Sequence, residues 1–134
     1  MPSPTEIVCT FLAMWEKPFG FGEAVQAYFR PDTVWENVGM TRTTGPQEAL
    51  TAFPGFGDGG PPIRVETLAI ATAGDQVLTE RIDHIIGPDG NPAMSIRVMG
   101  IFEVSGDRIA SWRDYFDTAG FAGAVNAQND DVSR

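Results

Sequence analysis

Charged side chains interrupt two segments of this sequence that otherwise have the alternating pattern of apolar β-strands. One segment contains Arg81 and Asp83, and the other contains Asp114 between Trp112 and Phe116. Successive side chains of a strand point to opposite faces, so Arg81 and Asp83 share one face. By the same rule Asp114 shares a face with its two aromatic neighbours. If both faces point inward, two carboxylates and one guanidinium meet in an apolar cavity, where charge is costly unless it is paired.

Two carboxylates held by one arginine can move protons in both directions. Like charges at short range push their pKa values apart, so one carboxylate can act as general base while the other keeps its proton as general acid. Bidentate hydrogen bonds from the arginine would hold both groups in place. Such a pair can take a proton from water and give one to a leaving oxygen, which is what opening an epoxide requires. Ion pairs between strands are also commonly structural, and alternation alone does not separate the two interpretations.

Composition restricts the classes of function. The chain has 134 residues, which suits one domain over residues 1–134, and its net charge of −9 disfavours nucleic acid and anionic membranes as partners. No apolar run is long enough to span a membrane and no signal peptide is evident, so a cytoplasmic location is the default expectation. Cys9 is the single cysteine, which excludes an internal disulfide. We expect no cofactor and no metal site.

The first half of the chain has helical periodicity around one short strand. Ser3 and Glu6 have the spacing of a capping box, and apolar residues follow at helical spacing. The strand would place Trp35 and Asn37 on one face. The predicted elements of this half are a helix with Ser3 as its N-cap and Pro4 as its first residue, a strand over 33–38, and helices over 22–29 and 46–53.

The second half of the chain predicts an antiparallel meander. In its third strand, apolar residues from Met94 to Val104 occupy one face, while Ser95, Arg97 and Glu103 lie on the other. Helices followed by a meander give an α+β class. We predict a strongly curved mixed, mainly antiparallel sheet whose N-terminal helices close an apolar conical pocket. The four predicted strands cover residues 63–73, 76–86, 93–104 and 108–116.

Two segments are predicted to lie outside this framework. Residues 54–62 are rich in glycine and proline, but no strand precedes them and no helix follows, which disfavours a dinucleotide-binding loop. We interpret this segment as a mobile lip over the cavity. The chain then ends in a polar tail from about residue 128.

Several segments together resemble one known family. They are similar to the limonene-1,2-epoxide hydrolase family, and the resemblance extends from the first helix to about residue 121. It implies a cone of the ketosteroid-isomerase-like or nuclear-transport-factor-like type, which is often dimeric. It also implies a one-step hydrolysis without a covalent enzyme ester. The segments that carry it are Trp35-Glu36-Asn37-Val38-Gly39, Thr79-Glu80-Arg81-Ile82-Asp83, Gly100-Ile101-Phe102-Glu103-Val104 and Ile109-Ala110-Ser111-Trp112-Arg113-Asp114-Tyr115-Phe116-Asp117.

The resemblance also implies a role for each site residue. Asp114 would be the base that activates water, Asp83 would be the acid that protonates the epoxide oxygen, and Arg81 would bridge them. Asn37 would hold the water. The family usually has tyrosine where this chain has Trp35, whose indole offers one N–H donor to the water and no acceptor.

Alternation predicts the lining of the pocket, which would accept a small apolar epoxide and water. Together with the lip, the lining residues form a plausible site for such a substrate. The resemblance further implies that the chain acts as a homodimer. The predicted lining residues are Met14, Val65, Ile85, Ile96, Val98, Phe116 and Phe121.

Two other functions remain open on the same fold. Trp35 motivates a non-catalytic module that binds a terpene-like or steroid-like ligand. An isomerase or cyclase would need only one base. His84 is the single histidine and lies on the face opposite Arg81, so we expect no catalytic role for it, and no serine has an evident triad around it.

Overall fold

The computed structural model describes residues 2–52, 60–121 and 123, which form three helices, a six-stranded sheet and a helical turn over residues 118–121. No helix of these residues is both long and apolar enough to cross a membrane. In chain order the elements are α1 (Pro4–Ala13), a 3₁₀ turn (Met14–Glu16), α2 (Gly20–Tyr28), β1 (Phe29–Asn37), β2 (Thr41–Thr44), α3 (Gly45–Thr51), β3 (Ile63–Ala73), β4 (Gln76–Ile86), β5 (Pro92–Ser105) and β6 (Arg108–Tyr115).

The sheet is mixed and mainly antiparallel, with the strand order β2-β1-β6-β5-β4-β3. β1 and β6 form its parallel pair, and the other neighbours are antiparallel. The pairing is displaced by one residue near Thr67 in β3 and near Glu103 in β5. Such irregularities bend a strand and increase its twist, so they contribute to the curvature of the sheet. The predicted α+β class is confirmed.

Helix α1 begins where the sequence predicts. Ser3 Oγ accepts a hydrogen bond from the Glu6 backbone N–H, and Glu6 Oε1 accepts one from the Ser3 backbone N–H, both at 3.2 Å. This capping box satisfies two N–H groups that the first turn of a helix leaves open. Ile7 and Phe11 then lie on the buried face of the helix.

Most predicted elements agree with the structure to within two residues. The strands of the second half match closely because their alternating pattern is long and their turns are rich in glycine and aspartate. The prediction missed β2, a strand of four residues with the sequence TRTT, in which only Thr43 is buried. The predicted lip over 54–62 lies mostly, and the polar tail from 128 entirely, outside the described residues.

The helices cover the inner face of the sheet, and an aromatic core fills the space between them. Phe11 of α1 has ring contacts with Trp15, Tyr28, Phe29, Phe102 and Trp112 at centroid distances between 5.5 and 6.1 Å. Aromatic rings contribute large apolar areas to a core, and edge-on pairs add a specific geometry. The core therefore fixes the position of β5 and β6, which the site described below requires.

Candidate active site

Arg81 lies between the carboxylates of Asp83 and Asp114 in the interior of the cone. Its Nε and Nη2 donate to Asp83 at 3.1 and 3.0 Å, and its Nη1 and Nη2 donate to Asp114 at 3.3 and 3.0 Å. Arg81 is fully buried, while Asp83 and Asp114 are 8% and 5% exposed. The structure thus brings together the three charged residues that the sequence singles out.

The guanidinium of Arg81 has an acceptor for each of its five N–H groups. Four go to the two carboxylates, and Nη1 also donates to Thr79 Oγ1 at 2.9 Å. Its carbon lies 5.8 Å from the ring centroids of both Trp15 and Phe102, within the range of a cation–π contact. This complete pairing is what makes a buried arginine tolerable.

Strand β5 separates the two strands that carry the charges, and a glycine allows the contact across it. Gly100 of β5 pairs with Thr79 of β4 on one side and with Asp114 of β6 on the other. A Cβ atom at position 100 would overlap Arg81 Nη1 and would lie 2.5 Å from Asp114 Oδ1. Glycine inside a strand often marks such a close approach. Gly100 is therefore required for the bridge between Arg81 and Asp114.

Burial and pairing shift the pKa values of Asp114 and Arg81. Burial raises the pKa of Asp114, and the charge of Asp83 adds to this effect. The charge and hydrogen bonds of Arg81 and the hydrogen bond from Trp112 oppose it without cancelling it. For Arg81, burial acts to lower the pKa, but Asp114 and Asp83 outweigh burial and raise it. Arg81 is thus a permanent cation beside a carboxyl group that binds protons more readily than an exposed aspartate.

Trp112 supplies a third hydrogen bond to Asp114. The indole Nε1 donates to Asp114 Oδ1 at 2.7 Å, and both side chains are buried. The two residues are separated by one position on β6 and share its inner face. The backbone carbonyl of Asp114 accepts from the Val38 N–H at 3.0 Å, which ties the end of β6 to β1. The carboxylate is therefore fixed through both its side chain and its backbone.

Strand β1 brings Trp35 and Asn37 to the same site. In the parallel pairing, Trp35 lies beside Trp112 and Asn37 beside Asp114. Asn37 Nδ2 donates to Thr41 Oγ1 at 3.0 Å, which holds the amide in place. Both β1 side chains are buried and line the cavity next to the charged residues. The five residues predicted as catalytic thus surround one site.

The cavity has a volume of about 90 Å³ and a mostly apolar wall. Five of the predicted lining residues border it: Ile85, Ile96, Val98, Phe116 and Phe121. The remaining wall consists of Trp15, Phe21, Trp35, Asn37, Ile63, Asp83, Trp112 and Asp114. An apolar wall with a few polar groups suits a small apolar ligand that has one polar reacting group.

Two predicted lining residues lie elsewhere. Met14 and Val65 are partly buried against the hydrophobic core and do not border this cavity. The helix tightens into the 3₁₀ turn at Met14, which changes the spacing of side chains, and Trp15 borders the cavity instead. On β3, Ile63 borders the cavity, two residues before Val65 and on the same face.

Sequence reasoning missed Gly100 and Thr79 as parts of the site. Gly100 interrupts an apolar strand face, and a lone glycine in a strand is a signal of close approach that could have identified it. Thr79 lies two residues before Arg81 and shares its face, so alternation places it beside the guanidinium. No comparable signal marks Phe21, which reaches the cavity from α2.

His84 lies on the outer face of the sheet, as predicted. Its Nδ1 is 2.7 Å from Ser95 Oγ, and its Nε2 is 3.1 Å from Glu66 Oε1. Ser95, His84 and Glu66 therefore form a row of polar contacts that the sequence did not predict, and this row lies away from the cavity. Within the described residues, no group of three or more histidine, cysteine, aspartate or glutamate side chains is arranged to hold a metal ion.

Comparison with known proteins identifies relatives that share both sequence and fold. The model of the limonene-1,2-epoxide hydrolase catalytic domain matches residues 2–125. The chain is 40% identical over 96 residues to the epoxide hydrolase EphG of Mycobacterium tuberculosis (strain ATCC 25618 / H37Rv). That match covers 71% of this chain and 62% of EphG, so it spans about three fifths of the relative's length.

Solved structures show the same architecture. An epoxide hydrolase from M. tuberculosis described as limonene-epoxide-hydrolase-like matches with a TM-score of 0.67 and 32% identity, covering 95% of this chain and 92% of that one. A protein with a ketosteroid-isomerase-like fold from Catenulispora acidiphila DSM 44928 matches with a TM-score of 0.63 and 22% identity, over 87% of this chain and 88% of that one. The second likeness shows the fold alone.

Replacing Gly100 with alanine should destabilise the protein by roughly 1–3 kcal/mol, because the added methyl group pushes Arg81 and Asp114 apart. Alanine in a strand normally stabilises a protein relative to glycine, so a decrease in the free energy of unfolding would indicate a steric clash. Denaturant unfolding would measure the change. Gly87→Ala is the matched control, since a Cβ there meets no atom closer than 3.4 Å. A Gly100→Ala variant as stable as the wild type would contradict the required close approach.

Proposed function

Because the chain belongs to the limonene-1,2-epoxide hydrolase family, we propose that it adds water to a small apolar epoxide in one acid/base-assisted step and forms a vicinal diol. The observation that carries this proposal is the buried arrangement of Arg81 between Asp83 and Asp114 at an apolar cavity. Two carboxyl groups that share one cation can accept and donate protons in the same reaction.

Asp114 takes the role of general base. Its oxygens accept three N–H hydrogen bonds, two from Arg81 and one from Trp112, and all three favour the ionised form. Burial raises the pKa of this carboxyl, which makes the carboxylate a stronger base than an exposed aspartate. Asn37 lies beside Asp114 on the neighbouring strand and would hold the attacking water with it. Trp35, on the same strand as Asn37, would close the site on the side of β1.

Asp83 takes the role of general acid. It receives two hydrogen bonds from Arg81, lacks the third donor that Asp114 has, and borders the apolar cavity. As the water oxygen bonds to an epoxide carbon, the carbon–oxygen bond of the ring breaks and Asp83 gives its proton to the leaving oxygen. Asp114 takes a proton from the water. The proton must return from Asp114 to Asp83 before the next turnover, and no external reagent is needed.

The cavity favours a small substrate without charge. Its volume of about 90 Å³ is smaller than the roughly 150 Å³ of an engineered apolar cavity that holds benzene. The substrate would therefore fill the cavity with its epoxide end and extend toward the opening with the rest. Apolar walls also exclude bulk solvent beyond the one attacking water, which strengthens the electrostatic contacts within the site.

A second copy of the chain is the partner that we propose for the outer face of the sheet. Leu78, Met99 and Tyr115 lie on this face and are 37%, 49% and 49% exposed. Met99 pairs with Tyr115 on one side and with Glu80 on the other, so the apolar side chains adjoin charged ones. Isologous contacts between two copies would bury the apolar side chains.

Asp83→Asn and Asp114→Asn should each lower kcat by about a hundredfold or more while the protein stays folded, because each variant loses one proton-transfer group. Diol formation from cyclohexene, styrene and limonene oxides would be measured by chromatography, with circular dichroism to confirm folding. Glu80→Gln, which alters an outward carboxylate on the same strand, is the control and should keep wild-type activity. Near wild-type turnover by either aspartate variant would refute the assignment.

A single turnover in heavy-oxygen water should place the label in the diol and none in the protein. The reason is that water attacks the epoxide directly in the proposed reaction. Mass spectrometry of the peptides that contain Asp83 and Asp114 would detect heavy oxygen in either carboxyl group. Label in either aspartate would show a covalent ester and would reject the one-step mechanism.

Met99→Glu should convert a dimer into monomers, because it places a charge in the proposed interface. Light scattering coupled to size exclusion would measure the mass. Met40→Glu is the matched control, since Met40 is an exposed methionine in the turn between β1 and β2. A wild-type protein that is monomeric at all concentrations would refute the proposed partner.

A further inference from the structure

Trp112 is held between two parallel aromatic rings. The ring of Trp35 stacks on it with a centroid distance of 4.6 Å and an interplanar angle of 11°. Phe102 stacks on it as well, at 5.3 Å and 17°. Both partners occupy the positions paired with Trp112 in the sheet, on β1 and on β5. The three rings therefore form one stack across neighbouring strands.

The middle ring of this stack carries a hydrogen bond to the reacting carboxylate. Trp112 Nε1 donates to Asp114 Oδ1 at 2.7 Å, the shortest of the hydrogen bonds that this carboxylate accepts. An indole N–H lies in the plane of its ring, so a rotation of the ring would move the hydrogen atom away from the oxygen. The stack limits that rotation because it fixes the plane of the ring.

We propose that Trp35 is a positioning residue, which holds the indole of Trp112 and through it orients Asp114 for proton transfer. This inference rests on the proposed function, because it takes Asp114 as the general base. It assigns Trp35 a task that depends on the flat face of its ring. The alternative assigned from the sequence, donation to the attacking water, depends on the N–H group instead.

The expected consequence is a change in the proton affinity of Asp114. The hydrogen bond from Trp112 favours the carboxylate form and so lowers the pKa of Asp114 against the opposing effect of burial. The titratable groups that face Asp114 in the described residues are Arg81 and Asp83 of β4. Strands β1 and β5 present Asn37 and Gly100 to it, and neither of these titrates.

Carbon-13 NMR of carboxyl-labelled aspartate in the substrate-free protein tests the proposal, because it follows the titration of Asp114 without turnover. The variants are Trp112→Phe, which removes the N–H, Trp35→Phe, which keeps a flat ring, and Trp35→Leu with Trp35→Met as a second truncation. Phe29→Leu is the matched control. Phe29 is a buried ring that also meets Trp112, but edge-on at 6.3 Å and 80°, and it does not border the cavity.

We expect the Asp114 titration to move to higher pH in Trp112→Phe, since a donor to the charged form is lost. Trp35→Leu and Trp35→Met should move it in the same direction by less, because Phe102 still packs on Trp112. Trp35→Phe and Phe29→Leu should leave it in place. The acid limb of kcat/KM should follow the titration, and kcat at neutral pH should fall roughly tenfold in Trp112→Phe.

The double variant Trp35→Leu/Trp112→Phe gives the decisive comparison. Its titration should equal that of Trp112→Phe alone, because Trp35 acts only through the indole N–H. If Trp35→Leu shifted the titration as much in the Trp112→Phe background as in the wild type, the proposal would be overturned. An unchanged titration in both Trp35→Leu and Trp35→Met would also overturn it. A lower kcat in Trp35→Phe together with an unchanged titration in Trp35→Leu and Trp35→Met would show donation to the water instead. If no epoxide is hydrolysed but the titrations behave as expected, the proposed function fails and the coupling of Trp35 to Asp114 through Trp112 stands.

Discussion

A cation buried between two acids is the constraint on which the rest of this structure depends. Arg81 has no exposure to solvent, and its charge is tolerable because each of its N–H groups has an acceptor. Two carboxylates and one guanidinium sum to one negative charge when both acids are ionised. Burial disfavours that net charge, and this is why the pKa of Asp114 is raised despite its contact with Arg81.

The surrounding fold can be understood as the support for this cluster. β5 must lie between β4 and β6, and it must have a glycine where the guanidinium crosses it. The aromatic core fixes the three strands relative to one another and excludes water from the charges. In a dry site each hydrogen bond is electrostatically stronger, and each unpaired group is more costly. An error of one residue in the register would turn the charged side chains to the other face.

The aromatic residues have two distinct tasks. Trp15, Phe21 and Phe116 are part of the apolar wall of the cavity. Trp112 also supplies a hydrogen bond to Asp114, so the orientation of its ring and the position of that carboxyl group are linked. A curved sheet of this type can house many activities, because function resides in the groups that line the cone and not in the cone itself. In this chain the charged cluster and its aromatic support distinguish the site.

The sequence by itself determined which side chains share a face. Strict alternation on β4 and β6 was sufficient to put Arg81 and Asp83 on one face and Asp114 on the face of Trp112 and Phe116, since the period of a strand is two, while the fold decided that both faces point inward. The capping box at Ser3 and the turns of the meander were local signals of the same kind. Only the tertiary structure decided which side chains are in contact across strands. The contact of Arg81 with Asp114 over Gly100, the stack on Trp112 and the exclusion of Met14 from the cavity depend on strand order, curvature and helix geometry, which no local pattern encodes.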